Sequence, residues 1–231
     1  MRKEFNTVIY DEVDNVGHIV INIPPANKMT PDFLIEITEV IEEYALKRPI
    51  IGIIIYGNGR SFSSGADVEK LQNFITSSCS EENKEIPDWY IKIKYAFWHL
   101  HTANIPVVSA VKGVCIGSGF ELALSSNMCI VEKGAMVGFP EVTFDLMPGM
   151  SGTIYSIETM GRFKALEFIL SGKMVFIRSE NDLELVDLVV EKNLSLETAS
   201  KIISMWSDKG GPSQISKKDI IKLYLKGNEK M

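Results

Sequence analysis

The chain has 231 residues, 45% of them hydrophobic, enough to bury a large core in one main layer structure with an appended helical end. A formal charge of −6, without any long lysine or arginine block, excludes the electrostatic footprint of a nucleic-acid binder. No apolar run reaches the roughly 20 residues of a membrane helix and the first residues lack a signal-peptide core, while Cys79, Cys115 and Cys129 have neither disulfide nor metal spacing; together these predict a cytoplasmic protein with no membrane partner.

Residues 7–10 and 16–23 alternate as two strands of a hairpin, and Pro24-Pro25 stops the second. Thr30-Pro31 then supplies an N-cap and a first-turn proline. Leu34, Ile37, Ile41 and Tyr44 recur at helical spacing as far as Pro49, predicting an amphipathic helix of about four turns. Residues 50–56 are apolar and β-branched throughout, which predicts a strand covered on both faces. A turn at Gly57-Asn58-Gly59-Arg60 leads into Phe62-Ser63-Ser64-Gly65-Ala66-Asp67 and a short helix through Leu71 and Phe74.

Residues 76–88 are polar and rich in serine and glutamate, the pattern of a mobile loop. An aromatic-rich helix over 89–101 leads to a strand at 106–111, and Gly117-Ser118-Gly119-Phe120-Glu121 runs straight into a second helix. Short strands follow at 128–132 and 136–139, helices at 152–160 and 163–170, a strand at 185–190, and helices at 196–206 and 216–225. Cys115 and Cys129 read as small core residues.

Both glycine-rich stretches are strand-to-helix junctions, where the first backbone N–H groups of the helix lack intrahelical acceptors. Gly117-Ser118-Gly119 fails as a dinucleotide fingerprint because the third glycine falls at Leu122, and no serine stands in a Gly-x-Ser-x-Gly frame. His99 and His101 cannot face one ligand from a helix, His18 belongs to a strand, and no metal site is predicted. Glu121 reads either as a solvated helix charge or as a buried carboxylate. Phe120, Leu122, Ala123 and Leu124 make its helix apolar nearly all round, favouring burial and a raised pKa. Glu141, in Gly138-Phe139-Pro140-Glu141, read alone is a loop charge; the two glutamates together with two exposed junctions point to proton transfer beside a carbonyl.

In this order and spacing, the stretches Pro24-Pro25-Ala26-Asn27, Phe62 to Asp67, Pro106 to Gly113, Gly117 to Glu121, Phe139-Pro140-Glu141 and Pro148-Gly149-Met150-Ser151-Gly152-Thr153 resemble the enoyl-CoA hydratase/isomerase (crotonase) superfamily. The resemblance implies an α/β fold, a crotonase-like superhelix of ββα units over residues 1–192. A C-terminal helical segment for trimerisation or as a lid, at 193–231 and short for the family, would follow. It implies an oxyanion hole from the Ser64 and Ser118 N–H groups, a water held by Glu121 and Glu141, and Gly149 seating that water. The implied substrate pocket comprises Ala26, Phe62, Ser64, Gly65, Ala66, Asp67, Val68, Ser118, Pro140, Asp145 and Leu146.

The leading expectation is syn hydration of a 2-enoyl-CoA through a stabilised enolate. An enoyl-CoA isomerase, or an acyl-thioester decarboxylase or hydrolase, is the alternative, and a non-catalytic scaffold on the same fold is a third. Asp145, where many relatives have glycine, would add a charge near the acyl pocket and favour the second reading. No cofactor is implied beyond coenzyme A within the substrate; the carrier is CoA or a phosphopantetheinyl protein. The implied partners are this thioester and further copies of the chain, as a trimer or hexamer through Ile220, Ile221 and Leu225.

Overall fold

The structure, a computed structural model, describes residues 1–78, 88–179, 181–182 and 184–228. The chain opens with β1 (Arg2–Glu4), β2 (Val8–Val13) and β3 (Val16–Ile21), an antiparallel run. Asp14 and Asn15 turn the β2–β3 hairpin with φ of 50° and 62°, the left-handed pair that matches the strands' twist. Helix α1 (Pro31–Glu39) is capped by the Thr30 hydroxyl, which accepts the Phe33 N–H, and continues through a π turn at Val40–Tyr44 and a tight turn at Ala45–Lys47. Next come β4 (Gly52–Gly57), α2 (Val68–Ser78), α3 (Asp88–His101), β5 (Val107–Val111), β6 (Val114–Ile116) and α4 (Ser118–Leu124). The second half holds β7 (Met128–Glu132), β8 (Met136–Gly138), a tight turn at Glu141–Phe144, α5 (Gly152–Met160), α6 (Arg162–Ser171), β9 (Met174–Phe176), β10 (Leu188–Val190), α7 (Ser195–Asp208) and α8 (Lys217–Asn228).

Seven strands form one sheet in the order β1-β2-β3-β4-β5-β7-β10, parallel from β3 onward, and β6-β8-β9 form a second, three-stranded sheet. This is the α/β architecture the sequence predicts. Successive side chains of a strand point to opposite faces, so Ile53 and Ile55 of β4 enter one core with Phe33, Ile37 and Phe97, while Ile54 enters another. The second core is closed by α7 through Ile202, Ile203 and Trp206, with Ile220 of α8 behind them. A Cβ on Gly52 would come within 2.5 Å of Ile203, so α7 lies almost on the strand backbone. The C-terminal helices are thus seated on the main sheet. Ile220, expected to face another copy, is fully buried within its own chain; Leu225 is exposed.

The element boundaries differ from the sequence reading in places with a common cause. Strands β1, β6 and β9 have three residues each, too short to show a period, and they exist because a neighbouring strand offers its edge. Helix α2 runs to Ser78, past the expected loop start at Thr76; the rest of that loop, with Cys79, lies outside the described residues up to Asp88. Cys115 and Cys129 are buried and free.

Candidate active site

Two loops meet between β4–α2 and β6–α4. The first is anchored by Asn27, fully buried at φ 52°, whose side-chain oxygen accepts the Ile23 N–H and whose amide donates to the Asn58 and Ser61 carbonyls. The Asn27 carbonyl accepts the Ser63 hydroxyl, and that hydroxyl oxygen in turn accepts the Gly65 N–H. Gly65 and Gly117, at φ 82° and 55°, are the residues at which the loops touch. A Cβ on Gly65 would lie 3.7 Å from the Gly117 Cα and 2.8 Å from the Ile116 carbonyl oxygen, so only glycine permits both the turn and the approach.

The backbone hydrogen bonds decide which donors the junctions leave available. Phe62, Ser63 and Ser64 donate to the Lys112, Val114 and Ala26 carbonyls, Gly65 donates to the Ser63 hydroxyl, and Asp67 donates to the Met29 carbonyl. The Ser64 N–H, expected as an oxyanion donor, is therefore committed to Ala26 at 2.9 Å. The donor in this run with no acceptor among the described residues is that of Ala66. On the other loop Gly117 donates to the Gly138 carbonyl, whereas Ser118, at the start of α4, has no acceptor among the described residues. Ala66 and Ser118 directly follow the two apposed glycines.

Both glutamates line a cavity of about 700 Å³ together with Ser64, Gly65, Ala66, Val68, Ser118, Pro140, Leu146 and Gly149. All of α4 is buried, and Glu121 is 1% exposed. Its Oε1 accepts the Met150 N–H at 2.7 Å and the Gly152 N–H at 2.8 Å, so the loop after Pro148 forms a cradle for the carboxylate. Burial raises the Glu121 pKa to about 7; the Glu141 charge adds to this, and the N–H groups of Gly152, Met150 and Gly149 oppose it. Glu141 begins the tight turn after β8 and packs over Gly117, whose added Cβ would meet its Oε1 at 3.0 Å. Burial raises its pKa to about 7 as well, and its Oε2 is buried without a hydrogen-bond partner among the described residues.

Other expected pocket residues lie elsewhere. Phe62 is fully buried in the first core; Ala26 is outside the cavity lining, and its carbonyl accepts the Ser64 N–H. Asp67 directly precedes α2, accepting the Lys70 N–H at 3.3 Å and pairing with Lys28, also at 3.3 Å, and is outside the cavity lining. Asp145 is exposed and outside the cavity lining. It ends the turn of Glu141 in the left-handed conformation, φ 56°, which glycine and aspartate both tolerate. A backbone requirement explains this residue. Its carboxylate does not line the cavity.

Tyr90 of α3 belongs to none of the motifs of the sequence. It lines the cavity and donates its hydroxyl to the Gly149 carbonyl at 2.8 Å. Only its place in an aromatic-rich helix marked it, and aromatic residues in helices ordinarily fill cores. Among the described residues no three His, Cys, Asp or Glu side chains gather as a metal site, and no helix is long and apolar enough to cross a membrane.

Residues 11–222 match the family model described as enoyl-CoA hydratase/isomerase. The chain is 28% identical over 197 residues to a probable enoyl-CoA hydratase of Rhizobium meliloti, covering 84% of this chain and 73% of that protein. It is 33% identical over 204 residues to the fatty acid oxidation complex subunit alpha of Shewanella amazonensis, covering 86% of this chain but only 28% of that much longer protein. A crystal structure of enoyl-CoA hydratase from Thermoplasma volcanium superimposes with a TM-score of 0.73 at 27% identity, over 86% of this chain and 76% of the other. With a family match across nearly the whole chain, and the two glycine junctions and paired carboxyls converging on one cavity of a crotonase fold, this protein belongs to the enoyl-CoA hydratase/isomerase family.

Proposed function

We propose that the chain hydrates a 2-enoyl thioester, or dehydrates the matching 3-hydroxyacyl thioester, with coenzyme A as the carrier. The observation that carries this reading is the pair Glu121 and Glu141, each raised to about 7 in one cavity. Two coupled carboxyls in that range hold one proton between them near neutrality, and syn hydration needs one ionised and one protonated. Glu121, held on Oε1 by two N–H groups, takes a proton from water as oxygen adds at Cβ. Glu141, with Oε2 unpartnered, delivers a proton to Cα. The charge that collects on the thioester oxygen is met by the Ala66 and Ser118 N–H groups, and one such donor is typically worth about 3 kcal/mol of barrier.

Lys28, ion-paired with Asp67, is the cationic side chain among the described residues that line the cavity, and it would meet a carrier's phosphates. The one residue that favoured isomerase, decarboxylase or hydrolase chemistry, Asp145, lies outside the cavity and lends that reading no support. The test is turnover of crotonyl-CoA and longer enoyl-CoAs, followed as loss of conjugated-thioester absorbance. Turnover abolished in Glu141→Gln supports the two-carboxyl hydratase; a folded parent protein that binds the thioesters without hydrating them overturns it.

A further inference from the structure

A single peptide group joins α3 to the buried carboxylate. Its carbonyl, that of Gly149, accepts the Tyr90 hydroxyl at 2.8 Å; its N–H, that of Met150, donates to Glu121 Oε1 at 2.7 Å. A trans peptide is planar with its C=O and N–H pointing oppositely, so fixing the carbonyl fixes the direction of the N–H. A donor on the carbonyl also polarises the amide and strengthens its N–H as a donor. The approach is close enough that a Cβ on Gly149 would sit 2.7 Å from the Tyr90 hydroxyl oxygen. Tyr90 is half-buried, its ring held edge-on by Trp89 with centroids 5.8 Å apart.

We propose that Tyr90 is a positioning residue for Glu121, acting through the Gly149–Met150 peptide to hold the carboxylate in its ionised, oriented form. The inference deepens the hydratase reading and rests on it for the role of Glu121. The titratable groups facing Glu121 are Glu141 from the turn after β8, Tyr90 from α3 and Tyr155 from α5. Tyr90→Phe leaves Glu141 and Tyr155 unsubstituted, so a change in the titration of Glu121 reports on the peptide.

The sign follows from the bond. With the hydroxyl gone, the Met150 N–H holds the carboxylate less firmly, the protonated form gains, and the pKa of Glu121 rises. Tyr90→Phe keeps the ring and its packing. The expected result is a kcat lowered roughly 3- to 10-fold, as for one ordinary hydrogen bond, with KM within twofold and the acidic limb of the kcat profile moved to higher pH. An unchanged profile, or a loss confined to KM, reduces Tyr90 to a wall of the cavity and overturns the proposal.

Titration of the Glu121 carboxyl by carbon NMR, assigned by its loss in Glu121→Gln, separates this inference from the reaction. An upward shift in Tyr90→Phe in a protein without hydratase turnover upholds the positioning role and overturns only the hydratase reading. No shift in an active protein overturns the positioning role alone.

Discussion

Replacing Glu121 by glutamine should stabilise the protein as it inactivates it, and the gain should depend on pH. The amide has the carboxylate's size, and its carbonyl oxygen can accept the Met150 and Gly152 N–H groups that now reach Oε1, but it carries no charge to bury. The parent's carboxyl moves from about 4.5 unfolded to about 7 folded, chiefly through burial. Between those values the folded protein holds a proton that the unfolded chain has released, so the slope of stability with pH is negative. Stability is full below pH 4.5, is lost as pH rises through 7, and is flat beyond. At 1.36 kcal/mol per pK unit the loss is about 3 kcal/mol. The repulsion between the two carboxylates is contained in the Glu121 shift, and the burial of Glu141, common to both proteins, cancels in the difference. Urea unfolding at pH 5 and pH 8 should show Glu121→Gln near the parent at the lower pH and up to about 3 kcal/mol more stable at the higher, with m unchanged. An equal difference at both pH values, or a variant less stable than the parent at pH 8, would refute the raised carboxyl.

Three further outcomes are expected. Glu141→Gln should lower hydration turnover on the order of 10²- to 10⁴-fold while leaving thioester binding measurable by calorimetry. Asn27→Ala should cost roughly 2–4 kcal/mol in urea unfolding, because the Ile23 N–H and the Asn58 and Ser61 carbonyls all lose their partner beneath the Ser63–Gly65 turn. Asp145→Gly should change stability by less than about 1 kcal/mol and leave KM unaltered, since an exposed left-handed position accepts glycine; a large rise in KM would return Asp145 to the acyl pocket.

Much of the site was legible from local chemistry. The apolar neighbours of Glu121 favour burial of its helix, which the structure shows, and both glycine runs mark strand-to-helix junctions; that the junctions meet at one site is implied by the family resemblance and not by composition or period. Local pattern suffices for β4, whose unbroken apolar run predicts two covered faces, and for α1, whose threonine cap and first-turn proline stand at its start. These features depend on residues within a few positions of one another.

The structure alone could decide whatever depended on a partner distant in sequence. The resemblance implies the Ser64 N–H as a donor, whereas the structure leaves that of Ala66 available. They differ because the Ala26 carbonyl reaches the first and no acceptor among the described residues reaches the second. Tyr90 stands 59 residues from the carbonyl it holds, and no periodicity connects them. Asp145 is expected close to the pocket, but the structure leaves it exposed at the end of a turn and outside the cavity lining. Period and propensity record which side chains a segment must bury, since burial acts on each residue where it stands. A backbone hydrogen bond can satisfy only one of several competing neighbours, and the packing of the whole chain decides which one arrives.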